Sequence, residues 1–183
     1  MNEKSFSKEK LKNSVLISLF CAIIAVASFI TIPSPVPFTL QALAIFCSLT
    51  VLGGKRGTIS VILYIFLGII GLPVFSGFSG GLGHLLGATG GYVLGFILTS
   101  LSYYIVTKCF GNSTKAKAVG LSLGLLACYA TGTLWYVAIY LGEISIEAFL
   151  SALTICVVPF IIPDIIKIAV ALLIGNKLSA VIK

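Results

Sequence analysis

Six apolar runs, near residues 14 to 32, 38 to 53, 57 to 72, 88 to 107, 117 to 141 and 147 to 175, recur along this chain with only short polar or Gly/Pro segments between them. A bilayer core about 30 Å thick is crossed by a helix of roughly 20 mostly apolar residues, and lipid offers no partner to an unpaired backbone group. Runs of this length therefore restrict the chain to membrane helices. Only 9% of its 183 residues are charged, against about a quarter in a soluble domain, so a water-facing surface could not be built. The sequence predicts an all-α integral membrane protein with six transmembrane helices in a single domain, 1–183, and an outer loop at 73–87. The second and third runs are short for a full span and are expected to tilt, or to pair across the turn Gly53-Gly54-Lys55-Arg56-Gly57. The first run is expected to stay as helix one, since it is long for a signal peptide and has no convincing small-residue cleavage site.

Basic residues are retained on the cytoplasmic side of inserted helices. Lys4, Lys8, Lys10 and Lys12 lie before run one, Lys55 and Arg56 in the second connection, Lys108, Lys115 and Lys117 in the fourth, and Lys177 and Lys183 at the end. The intervening connections hold no Lys or Arg; His84 lies in the middle one and Glu143 and Glu147 in the last. This alternation predicts an even number of spans with both termini in the cytoplasm, as a multi-pass protein of a bacterial plasma membrane. The net charge of +7 then reflects insertion, and nucleic acid is not an expected partner. Cys21, Cys47, Cys109, Cys128 and Cys156 stand singly in or beside apolar runs, where a thiol behaves as a small hydrophobe; no metal site is expected.

Only Asp164 and Lys167 place charge inside a span. They lie three apart and share a helix face. Counting about 1.5 Å per residue back from Lys177 puts Asp164 roughly 20 Å inside the cytoplasmic boundary. A buried pair contributes little net stability once desolvation is counted, so a polar ligand completing both groups explains its presence better than helix pinning, the structural alternative. Pro159 and Pro163 each remove a helical hydrogen bond, which either frees carbonyls toward a cavity or simply kinks the helix. The stretch Gly71 to His84 is too apolar for a solvated loop and too rich in glycine for a helix; it reads as a lid, with a flexible linker the alternative. Gly87-Ala88-Thr89-Gly90-Gly91-Tyr92 allows close backbone approach to a helix or a bound molecule and adds two hydroxyls. It lacks the Lys and Ser/Thr of a phosphate loop, so any ATP would be hydrolysed by another subunit. Trp135, Tyr136 and Tyr140 are expected to anchor in the interface or to line an outward site. No nucleophile is paired with a base, so enzymatic activity is not expected.

Together, Pro37-Phe38-Thr39-Leu40-Gln41, Gly71-Leu72-Pro73-Val74-Phe75, Gly87 to Tyr92 with Gly95-Phe96, and Pro163-Asp164 with Lys167 resemble the BioY family, the biotin-specific substrate-binding subunits (S components) of energy-coupling factor transporters. The resemblance spans about residues 14 to 175. It implies the S-component fold, biotin as transported ligand with no cofactor, and three partners: a membrane-embedded coupling protein and two ATPase subunits. It implies Asp164 as acceptor for the ureido N–H groups, and Lys167 as donor to the ureido carbonyl or partner of the carboxylate, with Gln41, Thr89, Gly91 and Tyr92 completing the site and Phe75, Ser79 and Gly81 in the lid. Small residues on helix one, Ser18 with Ala22 and Cys21 with Ala25, would meet the coupling protein. The chain departs from the family in having Ala88 where Pro is usual, and in lacking its Ala-xxx-Ala spacing on helix one. A stand-alone carrier for a small carboxylated solute, proton-coupled through Asp164, is the competing reading; a purely structural membrane subunit is a further one.

Overall fold

The computed structural model describes residues 3–32, 36–142 and 144–182, with side chains described for 7–180 of these. Glu143 and Lys183, assigned above to the outer and cytoplasmic sides, lie outside the described residues, as does the side chain of Lys4. A long helix α1 (Glu3–Phe29) leads into a two-stranded antiparallel hairpin, β1 (Thr31–Ile32) with β2 (Phe38–Thr39), in which Thr31 faces Thr39 and Ile32 faces Phe38. There follow α2 (Gln41–Leu52), α3 (Gly54–Ile69), a one-turn helix α4 (Leu82–Leu85), α5 (Gly90–Phe110), α6 (Thr114–Trp135) extended by a π-helical turn Tyr136–Leu141, α7 (Ile146–Cys156) and α8 (Val158–Ile182).

Four of these segments are long and apolar enough to cross a membrane: Ser7–Phe29, Gly90–Phe110, Thr114–Leu141 and Val158–Ala180. The eight-helix pattern corrects the expectation of six simple helices in three places. The run from 147 to 175 is two helices that break at Val157. Pro159 causes the break: inside a continuous helix it would lack its donor and clash with the preceding turn, whereas in the first turn of α8 no intrahelical donor is needed. Only Pro163 therefore acts within a helix. Helix α2 starts at Gln41, because Phe38 and Thr39 are committed to the hairpin. Its 12 residues rise about 18 Å, short of a bilayer core. Within the glycine-rich loop, one turn of helix forms all the same.

The exterior is apolar, unlike that of a soluble bundle, and the apolar core is crossed by buried hydroxyls. Val15, Ile162 and Leu173 are among the exposed aliphatics, a surface suited to acyl chains. Inside, hydroxyls bridge helices through backbone carbonyls: Thr50 Oγ1 donates to Ala171 O (2.9 Å), Thr99 Oγ1 to Gly124 O (3.0 Å) and Thr58 Oγ1 to Ser100 O (3.2 Å). Such bonds satisfy groups that hydrocarbon cannot, and small residues let the backbones close up. Gly124 makes the tightest approach of an α6 glycine to another helix's backbone, since a Cβ there would fall 2.6 Å from Thr99 Cα.

Local signals set the helix starts. Ser113 caps α6 through Ala116 N (3.2 Å) and Ser145 caps α7 through Ala148 N (3.1 Å), each satisfying an amide that the helix leaves open. The basic turns gather at one end of the bundle. Arg56 Nη1 donates to Asn13 Oδ1 (2.9 Å), joining the α2–α3 turn to α1, and buried Lys117 donates to Asn176 Oδ1 (3.1 Å), joining α6 to the end of α8.

Replacing Gly124 with Leu should force α5 and α6 apart and lower the melting temperature in detergent, at a cost of about 1–3 kcal/mol. Gly83→Ala, where nothing lies within 4 Å, should leave it unchanged; equal melting of the two variants in a thermal unfolding scan would refute the close-contact assignment.

Candidate functional site

The charged pair of α8 closes on itself inside the bundle. Lys167 Nζ donates to Asp164 Oδ1 at 2.8 Å, and both residues are buried, at 6% and 4% exposure. The other carboxylate oxygen accepts from Tyr129 OH on α6 at 2.6 Å, so both oxygens of Asp164 hold a charge-assisted bond. Above the pair lies the hairpin: Lys167 Nζ stands 4.2 Å from the Phe38 ring centroid, and Phe38 stacks on Phe160 at 5.8 Å. The ammonium thus has an aromatic face as its second contact.

This cluster forms the polar end of a hollow of about 70 Å³ whose walls are otherwise apolar and aromatic, with Tyr92 and Phe96 of α5, Leu125 and Cys128 of α6, and Phe160 of α8. A second hollow, of about 50 Å³, shares Pro37, Thr39, Tyr92 and Phe96 with the first and runs on to Gln41, Phe75, His84 and Thr89. The two together make one elongated site, polar at both ends and aromatic in the middle. Gln41, the first residue of α2, is 5% exposed and its Nε2 has no hydrogen-bond partner among the described residues. A buried amide left so costs free energy unless something completes it.

The loop between α3 and α5 folds over the second hollow. Phe75 is 1% exposed, meets Tyr64 edge-on at 5.6 Å and stacks on His84 at 5.0 Å. Ser79 Oγ donates to Ser76 O (2.7 Å) and so is left to accept from His84 Nδ1 (2.8 Å); Thr89 Oγ1 then donates to Nε2 (3.1 Å). One neutral imidazole therefore ties the loop to the start of α5, and burial pushes its pKa below the ordinary histidine value. Gly81 takes φ +86° and donates its N–H to Gly68 O at 2.7 Å. At the loop's tip Phe78, with φ +55°, stacks on Phe29 of α1 at 4.2 Å. Ser28 Oγ also lies 2.7 Å from Val74 O.

Of the residues singled out from sequence, the structure brings together Asp164, Lys167 and Tyr92 around the first hollow, and Gln41, Thr89, Tyr92 and Phe75 around the second. Gly91 lines neither. It faces α6, where a Cβ would run into Trp135. Trp135, Tyr136 and Tyr140 likewise lie outside both linings. Ser18, Cys21, Ala22 and Ala25 line a separate apolar furrow of about 540 Å³ between α1 and α3. Sequence reasoning missed Tyr129, Cys128 and Cys156 as wall residues, and Phe38 as the cover of Lys167. A tyrosine hydroxyl deep inside a span was the available signal, since such a group needs an internal partner.

Residues 1–183 match the sequence model of the BioY family. A protein of Pyrococcus horikoshii named a probable biotin transporter BioY is 38% identical over 171 residues, covering 93% of this chain and 98% of that protein. The biotin transporter BioY of Thermotoga maritima is also 38% identical, over 92% of this chain and 96% of its own length. Among solved structures, the crystal structure of the S-component for biotin from an ECF-type ABC transporter superposes with a TM-score of 0.82 at 27% identity, covering 97% of this chain and 94% of that one.

Two outcomes test this site in the ligand-free chain. Tyr129→Phe should lower thermal stability by about 1.5–3 kcal/mol, the usual worth of a hydrogen bond to a charged group; an unchanged melting curve would remove Tyr129 from the cluster. Because the folded-state pKa of His84 lies below its ordinary 6.5, the loop's closure is at full strength above pH 6.5 and weakens as pH falls below it. Hydrogen exchange of residues 71–87, corrected for the intrinsic rate, should therefore accelerate on acidification in the native chain and not in His84→Gln.

Proposed function

The chain belongs to the BioY family, and from that premise we propose that it is the high-affinity biotin-binding S component of an ATP-driven vitamin importer, capturing biotin at an outward-facing site and delivering it inward. The observation that carries the reading is the pair of adjoining buried hollows: an Asp164–Lys167–Tyr129 cluster in one, a Gln41 Nε2 without a hydrogen-bond partner among the described residues in the other, and shared aromatic walls.

Biotin has the same pattern of polarity. Its ureido ring offers two N–H donors and a carbonyl, its thioether ring is apolar, and its tail ends in a carboxylate. Asp164 accepts from the ureido N–H groups, in the charge-assisted geometry that favours tight binding. Lys167, held beside it, donates to the ureido carbonyl. Tyr92, Phe96 and Phe160 enclose the thioether ring. The carboxylate then reaches the far end, where Gln41 Nε2 and the Thr89 hydroxyl can donate. The hollows are smaller than the several hundred Å³ usual for a small-molecule site, so the described form is a closed one. Admission of ligand requires the hairpin and the loop bearing Phe75, Ser79 and Gly81 to part.

The chain crosses the membrane six times, with α7 and α8 together making the last pass, and both ends lie in the cytoplasm. The gathered basic turns support this orientation. Transport itself depends on partners: a membrane-embedded coupling protein, docked on the α1 face of Ser18, Cys21, Ala22 and Ala25, and two ATPase subunits. No phosphate-loop sequence occurs in the chain.

Calorimetric titration of biotin into the purified chain should show tight one-to-one binding. In Asp164→Asn it should weaken about ten- to several-hundredfold, as expected for loss of a charged hydrogen bond, and Lys167→Ala should weaken it too. Unchanged affinity in both variants would sink the site. Uptake into vesicles that persists without the ATPase subunits would favour a stand-alone carrier.

A further inference from the structure

At the basic end, α1 and the α2–α3 turn enclose a groove of about 720 Å³ that no part of the biotin site touches. Among the described residues, its cations are Lys12, Lys55 and Arg56, and Glu9 is the carboxylate in its wall. The arginine is preset: Nε donates to Leu52 O (3.0 Å) and Nη1 to Asn13 Oδ1 (2.9 Å). These two bonds hold the guanidinium plane across the gap between the helices. Gly53 and Gly54 also line the groove at the start of α3, a helix whose first turn has no side-chain cap and no acidic residue. The positive end of the α3 dipole thus lies beside the groove's cations.

The groove does not end in polar residues. Ile17 and Ile59 form its inner wall. The apolar furrow between the same two helices begins directly beyond them, with Ser18 next to Ile17 in sequence and Leu63 one turn after Ile59, and continues past Ala22 and Leu67. A cationic mouth on a long apolar trough open to the bilayer matches an amphipathic anion. We propose that, while the coupling protein is not docked on α1, this continuous α1–α3 furrow binds one anionic glycerophospholipid, with its phosphate at Lys12, Lys55 and Arg56 and an acyl chain along Ala22, Leu63 and Leu67. Basic recesses between membrane helices suit such headgroups because each nearby cation attracts them and low dielectric strengthens the contact. The inference requires a bilayer environment and is independent of which solute is transported.

The test uses the full chain purified in detergent and incubated with equal amounts of phosphatidylglycerol and phosphatidylcholine, with bound lipid read by native mass spectrometry. One phosphatidylglycerol should be retained about tenfold or more over phosphatidylcholine. In the double variant Lys12→Gln/Lys55→Gln, which leaves both arginine bonds in place, the preference should vanish while biotin titration stays unchanged. Lys55→Gln alone, an exposed substitution, should give a partial loss and serves if the double variant misfolds. Equal retention of the two lipids by the native chain, or a preference that survives in both variants, would overturn the proposal. So would a thermal shift produced by inorganic phosphate as fully as by the lipid, which would mark a headgroup site without use for the trough.

Discussion

A carboxylate and an ammonium lie 2.8 Å apart inside an apolar bundle, and much of the nearby architecture follows from what they need. Leaving either without its partner would strand a buried charge at a cost of several kcal/mol. The helix break at Val157 lets α8 start afresh at the Pro159 turn, which fixes where Asp164 and Lys167 face. Tyr129 takes the second carboxylate oxygen, and the hairpin brings Phe38 over the ammonium. Three separate elements, α8, α6 and the hairpin, thus meet at one pair. Neutral residues could pack there with less penalty, and the pair also lines a hollow, as the binding role proposed for it requires.

The remainder of the bundle manages the same difficulty with uncharged groups. Threonine hydroxyls on α2, α3 and α5 donate to carbonyls of a neighbouring helix, and glycines admit those carbonyls at close range. Oil-facing surfaces need no such provision and are aliphatic. The chain is consequently apolar outside and in its core alike, with buried hydroxyls bonded to backbone where helices come close.

How much of this could be read beforehand depended on the range of the interaction. Apolar runs and the in-chain spacing of Asp164 and Lys167 are local, and helices lie over each run, although α1 begins at Glu3 rather than near 14 and the last run is divided in two. The run 147 to 175 misled because hydropathy is blind to a break that costs no polar residue; Pro159 carried that information, but a cavity-lining carbonyl and a kink were the two readings it suggested. The hairpin was hidden because two-residue strands leave no periodicity, and Phe38 and Thr39 look like more of the apolar run. Tyr129 was missed for a different reason: its role depends on a partner 35 residues away, and spacing within one helix does not reveal which face meets α8. The glycines around Gly91 signalled close approach to either a helix or a bound molecule, and spacing alone does not choose between them; Gly91 itself lies against Trp135.

The loop over the second hollow is attached in two directions. His84 holds it to α5, while Ser28 and Phe29 hold its Val74 and Phe78 to the far end of α1. Helix α1 runs 27 residues from the basic end to those two contacts, so it is a shaft with its handle at one face of the bundle and its linkage at the other. Any roll or slide of that shaft, whatever pushes it, strains a 2.7 Å bond and a ring stack at the cover of the site. Pressure on the Ser18, Ala22 and Ala25 face is thereby felt about two turns further along, at the latch rather than at the ligand.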